Sequence, residues 1–129
     1  MADGAFNFTK LIVGDLDRST AFYRDVCGLT EVNRISGESD GRAFTEIILG
    51  SDPAAPATLI LMCYHGEPVI TKGDSILGFF SADIDAFLER LVKAGGKVTT
   101  PVTTLTEAGL KYAMATDNEG HIIEPLQRL

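Results

Sequence analysis

Asp117-Asn118-Glu119-Gly120-His121-Ile122-Ile123-Glu124 reads as a tight turn running into a strand that ends in a carboxylate. Asn, Gly and Asp supply the turn, and the β-branched pair after them supplies the strand. A second signal lies near the other end, Val13-Gly14-Asp15-Leu16-Asp17-Arg18-Ser19-Thr20-Ala21-Phe22-Tyr23. Phe6 to Val13 is apolar and strand-like. Asp15-Leu16-Asp17 then opens a helix with Asp17 as its N-cap, Leu16, Phe22 and Val26 as its apolar stripe, and Gly28 as its stop.

The plan recurs further along. Asp83-Ile84-Asp85 repeats Asp15-Leu16-Asp17 at an offset of 68 residues, and Gly96 repeats Gly28 at the same offset. Phe87, Leu88, Leu91 and Val92 form the second helical stripe. Strands are expected over 30–35, 43–50, 58–64, 75–81, 98–102, 110–116 and 122–126. The chain thus reads as one domain over 1–129, built from two βαβββ modules at about 6–64 and 74–127, joined by a linker at about 65–73. Ser51-Asp52-Pro53 is a turn. Gly37 to Gly41 and Thr99 to Glu107 are loops, the latter with Pro101 and five threonines.

With 129 residues, 45 % hydrophobic and 22 % charged, the composition is that of a globular domain. A net charge of −7 argues against nucleic acid and against a polybasic membrane contact. No apolar run approaches the ~20 residues that span a bilayer. Met-Ala-Asp-Gly-Ala lacks the basic-then-apolar start of a secretory leader. Cys27 and Cys63 form no CxxC pair, so two reduced thiols in the cytoplasm are expected.

The two quoted motifs, in this order within two modules, resemble the vicinal oxygen chelate superfamily of glyoxalase I, bleomycin-resistance proteins and extradiol dioxygenases. The departures are Asn118 where the family usually carries Pro and His121 where it carries Asn. The resemblance implies an α+β fold, a curved mixed β-sheet cup with helices outside, and commonly a homodimer. It also implies four metal ligands, one from each of four strands. Those positions fall at Phe8, Leu61, Ile76 (give or take one residue) and Glu124. Three are apolar, and one carboxylate does not hold a divalent ion against water. The position where a glutathione-using glyoxalase carries Arg is Ile12. No metal or other cofactor is therefore expected; a fallback set is Cys63, His65 and Glu124.

Strand parity puts Phe8, Lys10 and Ile12 on one face and Leu59, Leu61, Cys63 and His65 together. The expected lining of the cup is Phe8, Lys10, Ile12, Leu61, Cys63, Ile76 and Tyr112, with Glu124 as acid/base or ligand anchor. His121, at opposite parity to Glu124, should face away. Two functions stay open: a metal-independent protein that holds an apolar or aromatic small molecule, or a lyase, isomerase or dioxygenase-like enzyme built on Glu124 or on a non-standard metal site.

Overall fold

The computed structural model describes residues 3, 6, 8–39 (of Ser39 the backbone alone), 41–51, 58–68 and 75–129. Asp52 and Pro53 of the expected turn, Asp40, linker residues 69–73 and Asp74 lie outside the described residues. Among those described, β1 (Thr9–Ile12), α1 (Leu16–Cys27), β2 (Thr30–Ser39), β3 (Arg42–Gly50) and β4 (Leu59–Tyr64) are followed by β5 (Ile76–Phe80), α2 (Ile84–Lys93), β6 (Lys97–Leu105), a 3-10 turn (Thr106–Ala108), β7 (Leu110–Thr116) and β8 (Ile122–Arg128). The βαβββ order occurs twice. Each copy gives one curved, mixed four-stranded sheet, ordered β1-β4-β3-β2 and β5-β8-β7-β6. In each sheet the first and last strands of the copy are parallel and the other pairs antiparallel.

Two compact units result, Met1–Thr20 with Leu29–Val69, and Ala21–Gly28 with Ile70–Leu129. The second half of α1 thus belongs with the second sheet. In that unit, Ile84, Phe87 and Leu91 of α2 are buried, as are Ala113, Ala115, Ile123 and Pro125 of the sheet. The Ile84 amide donates to Gln127 Oε1 at 2.9 Å, which seats α2 on the Ile123/Pro125/Gln127 side. Tyr23 stacks 6.5 Å from Phe79, and Phe79 lies 6.1 Å from Phe87, so residues from α1, β5 and α2 share that apolar side. In the first unit the deep side is Leu11, Val13, Ile47, Leu49, Leu59 and Leu61, each at most 5 % exposed.

The helix starts differ in detail from the expectation. Asp15, not Asp17, caps α1: its Oδ1 accepts from the Arg18 amide at 3.0 Å, while Asp17 is an acidic first-turn residue. Asp83 caps α2 the same way, accepting from the Ala86 amide at 3.1 Å. The caps are therefore the pair related by the 68-residue offset, each three residues before the amide it satisfies. The two expected rim loops are largely strand. β2 continues to Ser39 in a hairpin with β3, and β6 continues to Leu105, with its ladder irregular between Thr100 and Thr103. Pro101 has no amide to give that ladder. No helix among the described residues is long and apolar enough to cross a membrane.

Gly96 lacks the positive φ of Gly28 (+71°); that conformation falls on Gly95 (+101°). What Gly96 supplies is close approach, since a Cβ there would sit 2.5 Å from the Thr116 carbonyl oxygen and 2.6 Å from Leu91 Cδ2. Gly96→Ala is therefore expected to destabilise by about 2 kcal/mol, the scale of an overpacked core. Urea unfolding checks this; an unchanged midpoint would contradict the contact.

Candidate functional site

Strand pairing fixes which side chains share a face. In the parallel ladder of β1 with β4, Lys10 pairs with Ile60 and Leu11 with Leu61. Lys10, Ile12, Ile60 and Met62 therefore lie on one side of the first sheet, and Leu11, Leu59, Leu61 and Cys63 on the other. The antiparallel ladder of β3 with β4 adds Phe44, Glu46 and Ile48 to the Lys10 side, through Phe44↔Tyr64, Glu46↔Met62 and Ile48↔Ile60. This corrects the expected lining. Leu61 is fully buried on the deep side, and Cys63 shares that parity, its Sγ donating to the Gly14 carbonyl at 3.5 Å. Ile60 and Met62 take their places. His65 shares the parity of Cys63 and its Nε2 meets Thr45 Oγ1 at 2.7 Å, with Ser36 Oγ 2.9 Å beyond. Phe8, just before β1, is 47 % exposed, and Ile12 is also partly open.

On this face the polar groups Lys10 and Glu46 meet, with Nζ 3.0 Å from Oε2. Nζ is also 5.9 Å from the centre of the Phe8 ring. Glu46 is the functional candidate that sequence reading missed. Its signal was its place in Ala43 to Gly50: the one charged residue in a mostly apolar strand, at the parity of Phe44 and Ile48.

In the second sheet, Ile76 pairs with Ile122 and Gly78 with Glu124 in the parallel ladder, and Tyr112 pairs with Leu126 in the antiparallel one. Ile76, Tyr112 and Glu124 thus share one side, away from Ile123, Pro125 and α2. Phe80 joins them on parity, and Ile76 and Phe80 are 57 % and 59 % exposed. Glu124 is half-buried, and its carboxylate makes no hydrogen bond or ion pair among the described residues. Lys10 and Arg42 are engaged by other acids, Glu46 and Glu67, the latter pair at 2.7 Å.

The donor set does not fit a metal. The positions that the resemblance assigns to ligands carry Phe8, Leu61, Ile76 and Glu124, and the ladder puts Leu61 on the deep side of its sheet. Hydrocarbon side chains have no lone pair to give a cation. Among the described residues no three His, Cys, Asp or Glu side chains are grouped to hold an ion, so the fallback set Cys63, His65 and Glu124 is not assembled.

Three residues before β8 reaches Glu124 stands a buried network. Asp117 Oδ2 accepts from Tyr23 Oη at 2.7 Å and from His121 Nδ1 at 2.8 Å. The carboxylate has no proton to offer, so Nδ1 carries the hydrogen. Asp117 Oδ1 accepts the amides of Glu119 at 2.8 Å and His121 at 2.9 Å, closing the turn. Burial works to raise the Asp117 pKa, but donation from His121, Tyr23 and the Glu119 amide outweighs it and holds the carboxyl below its ordinary range. Burial and the Asp117 charge push the Tyr23 phenol far up, so it stays a donor. His121 is buried beside Asp117 and precedes β8, which explains why it does not share the Glu124 face. Burial also pushes the Cys27 thiol up to about 12, which makes it a poor nucleophile at neutral pH.

Comparison with known proteins agrees with the topology. Residues 5–124 match the Glyoxalase/Bleomycin resistance protein/Dioxygenase superfamily. The chain is 29 % identical over 119 residues to the lactoylglutathione lyase of Haemophilus influenzae, covering 90 % of this chain and 87 % of that one. It is 25 % identical over 130 residues to a probable lactoylglutathione lyase of Vibrio parahaemolyticus, covering 98 % and 93 %. A glyoxalase family protein from Bacillus cereus superposes with a TM-score of 0.83 at 18 % identity, covering 100 % of this chain and 99 % of that one, a likeness of fold.

Asp117→Asn is expected to lower stability by about 3 kcal/mol, because it removes a buried charge that four donors were arranged to meet. The native Asp117 pKa lies below the unfolded value of about 3.9. Its contribution is therefore present above about pH 4 and lost as pH falls through the native value. Thermal unfolding from neutral to acid pH should show a shallower acid loss in Asp117→Asn than in the wild type; parallel curves would contradict the role.

Proposed function

This chain belongs to the Glyoxalase/Bleomycin resistance protein/Dioxygenase superfamily, and from that premise we propose that it is a metal-independent protein that holds an apolar or aromatic small molecule in its β-cup. What supports the reading is hydrocarbon at Phe8, Leu61 and Ile76, three of the four positions at which the resemblance implies metal donors. A face lined by Phe8, Ile12, Ile60 and Met62, with few placed polar groups, has the composition of a small-molecule site. The same holds for Ile76, Phe80 and Tyr112 around Glu124. Family habit adds a homodimer, with the whole chain acting as one domain.

The second reading is an enzyme, a lyase, isomerase or dioxygenase relative that uses Glu124 as acid or base. The lactoylglutathione lyases at 25 % and 29 % identity favour it. Against that activity stand Phe8 at the first ligand position and Ile12 where the glutathione-using enzymes carry Arg.

Elemental analysis of untagged protein, purified without chelator and again after exposure to nickel, zinc, iron and manganese, tests the choice. The binding reading predicts far less than one ion per chain under every condition. About one tightly held ion per chain would overturn it, since only a set of several protein donors holds an ion that well. Lactoylglutathione lyase turnover would then be measured on the loaded protein.

A further inference from the structure

Lys10 and Glu46 are arranged unequally. The Glu46 side chain keeps 10 % of its exposure and the Lys10 side chain 37 %. Burying a lone carboxylate is costly, and the nearby ammonium is what makes it tolerable. Among the described residues Glu46 Oε2 makes no hydrogen bond, and Lys10 Nζ, at 3.0 Å, is its ion-pair partner. The acid is thus sunk and the cation faces outward. An ammonium has three donors, and a single acid oxygen leaves donors over for an incoming group.

The surroundings say what that group is attached to. Lys10 lies between Phe8 and Ile12 along β1 and directly across from Ile60. Those neighbours include Phe8, a position at which the resemblance expects a metal ligand. A fixed positive charge with an aromatic ring 5.9 Å away and aliphatic floor beneath is complementary to an apolar body carrying one oxygen acceptor. With a formal net charge of −7, the protein gives such an acceptor no general attraction, so the attraction has to be local.

Resting on the binding function proposed above, we propose that Lys10, held in place by Glu46, is the residue that selects the ligand, and that the ligand is an aromatic or otherwise apolar small molecule bearing a carboxylate, sulfonate or carbonyl oxygen. The ammonium supplies the electrostatic anchor on this face, and Glu46 lies beneath it as its counter-charge.

Two dyes separate the parts of this proposal: 1-anilinonaphthalene-8-sulfonate, which is aromatic and anionic, and N-phenyl-1-naphthylamine, which is similar in shape but neutral. Both are expected to bind the wild type. Lys10→Met should weaken the anionic dye on the order of tenfold or more, the scale of a charge-assisted contact, while the neutral dye changes little. Glu46→Gln removes the counter-charge and should tighten the anionic dye. Lys10→Arg keeps the charge and should retain it. Lys10→Met leaves Glu46 buried and unpaired, so the double variant Lys10→Met/Glu46→Gln guards against a folding defect and should show the same selective loss. If both dyes bind and neither neutral variant distinguishes them, the role of Lys10 is overturned while apolar binding stands. If neither dye binds the wild type, the binding function and the role of Lys10 fall together.

Discussion

The make-up of each candidate binding face depends on strand register. Side chains alternate along a strand, so a slip of one residue sends every candidate to the other face. The pairing of Lys10 with Ile60 and of Gly78 with Glu124 decides what lines each sheet. Register itself is held by burial. Leu11, Leu61, Ile47 and Leu49 in one sheet, and Ala113, Ala115 and Ile123 in the other, are almost wholly hidden. Exposing any of those sets would forfeit roughly 25 cal/mol for each Å² of apolar area.

The second unit has an additional pin. Asp117 gathers Tyr23 from α1, His121 from the start of β8 and two amides of its own turn. The sequence motif that signals this family is thereby explained in physical terms: Asp117 is a turn-closing acceptor buried beneath a helix, and Glu124 is carried outward at its fixed distance along the strand. His121 stands where the resemblance expects Asn, and it presents a ring N–H to the same carboxylate.

Much of the fold was legible in the residues. The 68-residue repeat of Asp and Gly, and the alternation of apolar residues, led to two βαβββ copies. The boundaries that slipped have clear causes. Asp15 and Asp17 are both capping types, and the choice depends on which amide lies three residues on. The Gly37–Gly41 and Thr99–Glu107 segments look loop-like in composition, yet pairing with β3 and β7 carries β2 on to Ser39 and β6 on to Leu105. The site was half legible. Phe8, Lys10 and Ile12 follow from a short strand with clear parity. Leu59 to Met62 is uniformly apolar and gives no alternation to fix the phase, so only pairing with β1 and β3 settles which face Leu61 takes. Glu46 was passed over for a related reason: only pairing across β1, β4 and β3 brings it to Lys10.

On the Lys10 face a cation sits among hydrocarbon with an acid beneath it. On the second sheet Glu124 is half-buried between Ile76 and Tyr112 on the same side. The most direct measurement is the affinity of the anionic naphthalene dye for the untagged protein before and after exhaustive chelation, and again with nickel or zinc restored. A metal-free anchor predicts the same affinity, within about twofold, in all three states. Loss of binding on chelation, with recovery on adding the ion, would contradict it.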